Sequence, residues 1–188
     1  TGNNNLPSPA AWETEFTEGK GRSFGLEFYG EFQSEKWDVS TAYTLSWSQR
    51  RFEAFYSGWY RDRYDNRHNL VINGVYKAHP LVDIYATWTL RSGNRYTIPL
   101  YGFYMGTESL YPNNVQLPAY HRLDVGIDFR AVSARKGRDY IVTFAVYNLY
   151  GRKNPFYISI VEDVYHRPTI KMTSIFPILP SVRYTLYF

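Results

Sequence analysis

The chain has 188 residues, enough for one domain of ordinary size, and its net charge of +4 comes from scattered basic residues rather than from a basic patch. This distribution excludes a nucleic-acid-binding face as a leading interpretation, so no nucleic-acid partner is predicted. The absence of cysteine excludes disulfides and thiolate metal sites, and no stretch approaches the roughly 20 apolar residues of a transmembrane helix.

The predicted elements are strands, because apolar and polar residues alternate with a period of two. In the first strand Phe24, Leu26, Phe28 and Phe32 share one face, and polar or small residues occupy most of the other. The same alternation recurs in residues 37–48, 82–90, 122–130 and 182–188. Such a pattern is typical of strands with one apolar face.

Seven strands are predicted in chain order, at about 21–33, 36–48, 66–77, 81–92, 119–132, 138–161 and 169–188. Several hold about ten residues, the length that a tilted strand needs to cross a bilayer. Short polar links at 34–35, 77–80 and 133–137 alternate with longer links at 49–65, 92–118 and near 162–168. Outer-membrane barrels have this alternation of short periplasmic turns and long extracellular loops.

The predicted fold class is therefore all-β, a transmembrane antiparallel up-and-down β-barrel. Aromatic residues make up 19% of the chain, which favours strands and membrane–water interfaces. An odd number of strands and a loop-like start predict that further strands and an N-terminal part lie outside this chain, because single-chain bacterial barrels use an even number. The alternative is a soluble β-sandwich, which also alternates but usually has shorter strands.

The last residues of the chain carry the sharpest local signal. Val182, Tyr184, Leu186 and Phe188 alternate up to the terminal position. The pattern resembles the C-terminal strand by which outer-membrane proteins are recognised for insertion. The simpler alternative is an ordinary final strand.

Six further stretches occur in the order expected of one family: GRSFGLE (21–27), YDNRHNL (64–70), SGNRYTIP (92–99), LPAYHRLD (117–124), YNLYGRKNP (147–155) and FPILPS (176–181). With them, residues 1–188 resemble the C-terminal part of the β-barrel of TonB-dependent receptors of the Bacteroidetes type. The resemblance implies the last seven strands of a 22-stranded barrel, closed by an N-terminal plug that this chain lacks.

The resemblance also implies a location in the bacterial outer membrane and a role in active import of a scarce nutrient such as a siderophore, haem or a vitamin. Implied partners are the lipid bilayer and lipopolysaccharide, the rest of the barrel and plug, and the TonB–ExbB–ExbD complex. A SusC-like importer of glycans or peptides working with a surface lipoprotein is an alternative, although the end of this chain differs from that branch. A passive porin or scaffold barrel is another.

Aromatic and arginine side chains in the two longest links are the candidate ligand contacts. Arg61 and Trp59 lie in the first of these links, and Tyr96, Tyr101 and Tyr104 in the second. Such side chains suit an anionic or aromatic ligand through stacking and charge-assisted hydrogen bonds. They equally suit an aromatic girdle or contacts with lipopolysaccharide phosphates.

No catalytic residue, metal site or cofactor is predicted. The chain lacks a Gly-x-Ser-x-Gly elbow, and an outer-membrane hydrolase is the weaker alternative. Asp65 and His68 are expected to form a local hydrogen-bonding pair rather than a metal site. His121 and Asp124 have opposite parity on one strand and are expected to diverge.

Two further expectations concern the later strands. The polar residues Arg122, Asp124, Asp128 and Arg130 are expected to point into the barrel and to form salt bridges with each other and with the plug. The segment with Asn148, Gly151, Asn154 and Pro155 is expected to form a bend or bulge within one long strand.

Overall fold

The computed structural model describes residues 16–54, 56–97, 111–133, 138–165 and 168–187. These residues form β-strands and connections, with no helix among them. The strands are β1 (Lys20–Gln33), β2 (Trp37–Phe52), β3 (Tyr56–Arg61), β4 (His68–His79), β5 (Val82–Arg91), β6 (Arg95–Tyr96), β7 (Val115–Gln116), β8 (Tyr120–Ser133), β9 (Arg138–Tyr147), β10 (Tyr157–Glu162), β11 (Pro168–Thr173) and β12 (Leu179–Leu186).

The main sheet is an antiparallel up-and-down meander in the order β1-β2-β4-β5-β8-β9-β12, with β3 paired to the far end of β2. Two small sheets, β10-β11 and β6-β7, lie off this path. The all-β antiparallel architecture predicted from the period of two is thereby confirmed. Within the described residues the sheet is open, and β1 and β12 are its edges.

The strand register places the alternating apolar residues of all seven main strands on one surface of the sheet, called here the apolar face. Neighbouring strands are in phase, as in the cross-strand pairs Leu26 with Leu45 and Ile72 with Trp88. The phase continues to the last strand, where Val182 pairs with Phe144. A slip of one residue between two strands would move every side chain of one strand to the opposite surface of the sheet. Because the observed register keeps the apolar residues together, the sheet has one apolar and one polar surface.

No layer of the described protein covers the apolar face. Phe24 is 56% exposed and Val182 is 69% exposed, although both lie well inside strands. Among the described hydrophobic residues only Tyr60 and Leu117 are buried, and neither belongs to this face. A soluble β-sandwich would bury such a surface against a second sheet, and large apolar patches of this kind mark an interaction surface.

Aromatic pairs lie towards both ends of the apolar face. At the end with the short links, the rings of Trp37 and Tyr76 are 4.6 Å apart. At the other end, the rings of Phe24 and Trp47 are stacked at 5.3 Å. Trp37 and Trp47 are ten residues apart on β2, which is about 33 Å of strand; at the tilt of about 40° that strands of outer-membrane barrels have, this length would span about 25 Å. That depth matches the apolar band of outer-membrane barrels.

The predicted single strand at 138–161 is wrong, because the chain leaves the main sheet after β9. Asn148 and Gly151 adopt the left-handed conformation, with φ of 56° and 64°, which extended strands do not contain. The bend was expected, but it ends the strand instead of bulging it. The chain then forms the β10-β11 hairpin, outside the main sheet.

The predicted strand at 169–188 is also divided, into β11 and β12, with Pro177 in the connection. Proline has no N–H to donate to a strand ladder, which fits the position of Pro177 outside both strands. The long link at 49–65 is shorter than predicted, because β2 continues to Phe52 and β3 folds back onto it. The link at 92–118 contains the two-residue pair of β6 and β7.

Candidate functional site

A buried carboxylate organises the turn between β3 and β4. The Asp65 side chain is fully buried, and its Oδ1 accepts a hydrogen bond of 2.8 Å from the backbone N–H of Ser48. Its Oδ2 lies 3.2 Å from Nη2 of Arg67 and 3.7 Å from Nε of Arg61. The expected pairing of Asp65 with His68 is wrong, since the His68 Nδ1 lies 2.8 Å from the Tyr43 hydroxyl on the apolar face.

The strands β6 and β7 are held close to this turn. Nη2 of Arg95 donates to the Gln116 side chain at 3.1 Å, and the Asn113 side chain donates to the Arg61 carbonyl at 2.8 Å. Burial, with the neighbouring Arg61 guanidinium, lowers the pKa of Arg95. Gly93 leaves no room for a side chain, because a Cβ there would lie 1.9 Å from the Leu117 carbonyl oxygen.

A cleft of about 410 Å³ opens beside this framework, at the end of the sheet that carries the long links. Its position follows from the strands, because Arg91 ends β5 and Tyr120 begins β8 directly opposite it. Both belong to the polar parity of the sheet. The cleft, called here the Arg/Tyr cleft, is lined by Arg63, Tyr64, Arg91, Asn94, Tyr96, Tyr120, Tyr147, Asn154, Pro155, Phe156, Ile175 and Phe176.

Arginine and tyrosine side chains stack on one another in the Arg/Tyr cleft. The Arg63 guanidinium lies 4.5 Å from the centre of the Tyr96 ring and donates to its hydroxyl at 3.1 Å, a bond that raises the pKa of Arg63. The Arg91 guanidinium lies 5.5 Å from the Tyr120 ring centre. These stacking contacts fix the guanidinium planes without neutralising their charge.

The cleft carries uncompensated positive charge. Its lining includes two arginines and no Asp or Glu among the described residues, and neither Arg63 nor Arg91 forms an ion pair with a described carboxylate. Arg122, stacked 4.0 Å from the Tyr147 ring centre, differs because it pairs with Asp124 at 2.7 Å. Such an arrangement can bind an anion and stack a ring.

Asn148 fixes one side of the cleft. Its side-chain amide is fully buried and donates to the carbonyls of Arg152, Phe176 and Pro177, while its Oδ1 accepts from the Arg152 N–H. The Asn148 N–H donates to Asp124 at 2.9 Å. The segments that supply Phe176 and its neighbours to the cleft are therefore attached to the end of β9.

The predicted ligand contacts fall in different places. Tyr96 lines the Arg/Tyr cleft, whereas Arg61 approaches Asp65 and Trp59 lies under Arg22, whose guanidinium is 4.3 Å from the ring centre. Tyr101 and Tyr104 lie outside the described residues.

Sequence reasoning placed Arg63 among the arginine and aromatic residues of the outer links, but it did not single out Arg91, Tyr120 or Tyr147, which also line the cleft. Their positions in the predicted strands could have identified three of these residues. Arg91, Tyr120 and Tyr147 stand at strand ends on the polar parity, next to the long links.

The C-terminal residues of the proposed insertion signal continue the apolar face. Val182, Tyr184 and Leu186 pair with apolar-face residues of β9, and Val182 and Tyr184 are exposed. The ring of Tyr184 stacks against that of Tyr140 at 6.0 Å. Phe188 lies outside the described residues, and recognition by an insertion machinery remains a prediction.

The polar side of β8 forms some of the expected ion pairs. Arg122 pairs with Asp124, as predicted, but Arg130 pairs with Asp83 of β5, and Asp128 accepts a hydrogen bond of 2.6 Å from Thr143. Arg130 reaches Asp83 diagonally across the two strands, because Asp83 lies opposite Asp128, two residues before Arg130.

His121 and Asp124 diverge, as their parity predicted. Nδ1 of His121 lies 2.8 Å from the Tyr150 hydroxyl, whereas Asp124 binds Arg122 and the Asn148 N–H. The two side chains therefore have separate partners and form no common site.

Among the described residues, no group of three or more His, Cys, Asp or Glu side chains could hold a metal ion. Within the same residues, no helix has the length and hydropathy needed to cross a membrane. No protein-family model, curated protein sequence or solved structure matches the chain.

Proposed function

We propose that this chain is the C-terminal part of the β-barrel of an outer-membrane TonB-dependent transporter, which imports a scarce nutrient such as a siderophore, haem or a vitamin. In this proposal the seven meander strands are the last of a 22-stranded barrel in the bacterial outer membrane. An N-terminal plug closes the barrel until the TonB–ExbB–ExbD complex displaces it. The protein performs no covalent chemistry.

The observation that carries the membrane part of the proposal is the uncovered apolar face. It extends across seven strands in one register, it has aromatic side chains towards both ends, and its depth of about 25 Å fits the lipid band of a barrel. In water this surface would be a strong aggregation liability, whereas lipid tails solvate it. The open edges of β1 and β12 need partner strands in lipid, because unpaired backbone groups there cost several kcal/mol each.

The import part of the proposal has different support. It combines the resemblance of six ordered sequence stretches to TonB-dependent receptors with a cleft on the polar surface at the long-link end, where a ligand entering from outside would arrive. A passive porin or scaffold barrel has the same apolar face. A SusC-like importer would in addition bind a surface lipoprotein.

The test compares uptake in the host bacterium with and without this protein. A strain lacking it, and a strain lacking TonB, are both expected to lose energised uptake of the same iron chelate, haem or vitamin. The purified intact protein in a planar bilayer is expected to conduct little current, because a plug fills the barrel. Large, steady conductance together with uptake that does not need TonB would contradict an importer and favour a porin.

A further inference from the structure

We infer that the Arg/Tyr cleft binds a planar aromatic ligand that carries a carboxylate group, with Arg63 and Arg91 holding the carboxylate and the tyrosines stacking on the ring. The inference deepens the proposed import function and rests on it, since it names the chemical class of the ligand. The cleft also falls within the range of about 300–1,000 Å³ that is usual for small-molecule sites, with a volume of about 410 Å³.

The positive charge of the cleft selects an anion. Three arginines at this end of the sheet have carboxylate partners: Arg50 pairs with Asp62, Arg67 with Asp65 and Arg122 with Asp124. Three others donate to neutral oxygens, Arg22 to Gln49, Arg95 to Gln116 and Arg152 to Ala119. Arg63 and Arg91 are the arginines that line the cleft, and neither pairs with a carboxylate among the described residues. A guanidinium binds a carboxylate through a planar pair of hydrogen bonds. A ligand carboxylate therefore supplies the negatively charged partner that Arg63 and Arg91 lack among the described residues.

The remaining surface of the cleft selects a ring. Tyr64 and Phe176 are each more than half exposed, so part of each ring is available to a ligand, beside the Arg63 guanidinium at 5.7 Å from the Tyr64 ring centre and the Tyr147 ring at 6.3 Å from that of Phe176. Tyr96 and Tyr120 already carry an arginine on one face, which fixes the orientation of the guanidiniums relative to the rings. A ligand whose ring is coplanar with its carboxylate can meet a guanidinium edge-on and a tyrosine face-on at once.

The sequence positions of the two arginines explain how the fold builds this site. Arg63 belongs to the turn after β3, and its carbonyl accepts a hydrogen bond of 2.8 Å from the Arg95 N–H. Arg91 ends β5, next to Tyr120. The guanidiniums are therefore attached to two separate parts of the framework, and each is oriented by a stacked tyrosine instead of by an acid.

Binding of three probes to the purified intact protein in detergent, measured by titration calorimetry, tests the inference. The probes are 2-naphthoate, its neutral analogue 2-naphthamide and the non-planar anion cyclohexanecarboxylate. We expect saturable binding of 2-naphthoate, at least about tenfold tighter than that of either analogue, because each analogue loses either the charge-assisted bonds or the stacking. Equal affinity for the three probes, or no saturable binding of 2-naphthoate, would overturn the inference.

Substitutions in the Arg/Tyr cleft test whether 2-naphthoate binds there. Arg63→Gln and Arg91→Gln are each expected to weaken 2-naphthoate binding about five- to tenfold, and Tyr120→Leu about threefold or more. Lys36→Gln, which removes the same charge at the short-link end of the sheet, is the matched control and should bind as the unaltered protein does. Unchanged affinity in both arginine variants would place the ligand elsewhere and refute the inference.

The outcome is separable from that of the uptake experiment. An intact protein that supports TonB-dependent uptake but does not bind 2-naphthoate refutes the ligand class alone. A protein that binds 2-naphthoate through Arg63 and Arg91 but supports no energised uptake refutes the import function and leaves the chemistry of the cleft standing. A heat-dependent change in gel mobility, present in every variant used, verifies that the barrel is folded.

Discussion

Replacing Asn148 by alanine is expected to destabilise the protein more than most polar substitutions would. The side chain is fully buried at the point where the chain leaves the main sheet, and its backbone has a φ of 56°. Its amide donates to the carbonyls of Arg152, Phe176 and Pro177, and its oxygen accepts from the Arg152 N–H. Alanine removes all these partners and tolerates the left-handed conformation poorly.

The size of the effect follows from these contacts. An amide has two N–H donors, so the three carbonyls share two hydrogen bonds, and the accepted bond makes three. At about 1 kcal/mol each they contribute about 3 kcal/mol, and alanine at positive φ adds about 1 kcal/mol. The expected loss in the free energy of unfolding for Asn148→Ala is therefore about 4 kcal/mol. Asn148→Gly keeps the left-handed conformation open and should lose about 1 kcal/mol less.

Urea unfolding of the intact protein, followed by tryptophan fluorescence, measures both variants. The matched control is Asn73→Ala, which removes an asparagine from the polar surface of β4 that bonds to Ser40 and Thr87. We expect the control to lose no more than about 1 kcal/mol, since its position is exposed to water. A loss below about 1 kcal/mol for Asn148→Ala, or equal losses at the two sites, would refute the role assigned to Asn148.

Three further tests, with five substitutions in all, probe other parts of the structure by the same unfolding measurement in phospholipid vesicles. Ala86→Arg, in the middle of the apolar face, should lower the free energy of unfolding by about 2–4 kcal/mol. Thr87→Arg, on the polar surface, should lower it by less than about 1 kcal/mol, and equal losses would contradict the assignment of the faces. Asp65→Ala should lower the free energy of unfolding by about 2 kcal/mol, because it leaves buried donors unpaired. Asp65→Asn should restore part of this stability, and a variant that restores none would argue against the hydrogen bond to Ser48. Gly93→Ala should cost about 2 kcal/mol because the new Cβ meets the Leu117 carbonyl, and an unchanged midpoint would show that the two segments separate without penalty.

The faces of the main sheet were predictable from the sequence because they depend on a local rule. Successive side chains of a strand point to opposite sides, so the alternation at 82–90 assigns Ala86 and Thr87 to opposite surfaces without knowledge of their neighbours. The seven main strands follow from the same rule.

The exit of the chain from the sheet was not predictable in the same way. Strand-like residues stand on both sides of residues 148–155, so this segment was predicted to bend or bulge one long strand. The interruption depends on the left-handed Asn148, which is stable there because carbonyls from residues 176 and 177 accept its hydrogen bonds. Those partners are distant in the sequence, and no local pattern reveals them.

The Arg/Tyr cleft was only partly predictable, for a related reason. Tyr96 was selected because it is an aromatic residue of a long link. Arg63 meets Tyr96 across 33 positions of sequence, and Arg91 meets Tyr120 only through the pairing of β5 with β8. Composition indicated arginine and tyrosine, but the register of the sheet decides which of them meet.

The central claim is that the apolar face of the sheet contacts membrane lipid. The chain contains no cysteine, so single cysteines introduced in turn at positions 83–88 of β5 can each carry one nitroxide spin label, once any cysteine outside this chain is replaced by serine. With the intact protein in lipid vesicles, collision of the labels with oxygen and with a water-soluble nickel complex reports the surroundings of each position. Labels at 84, 86 and 88 should collide mainly with oxygen, and those at 83, 85 and 87 relatively more with nickel, in a period of two. Labels at 84, 86 and 88 that are shielded from both reagents, or reached best by nickel, would contradict contact with lipid.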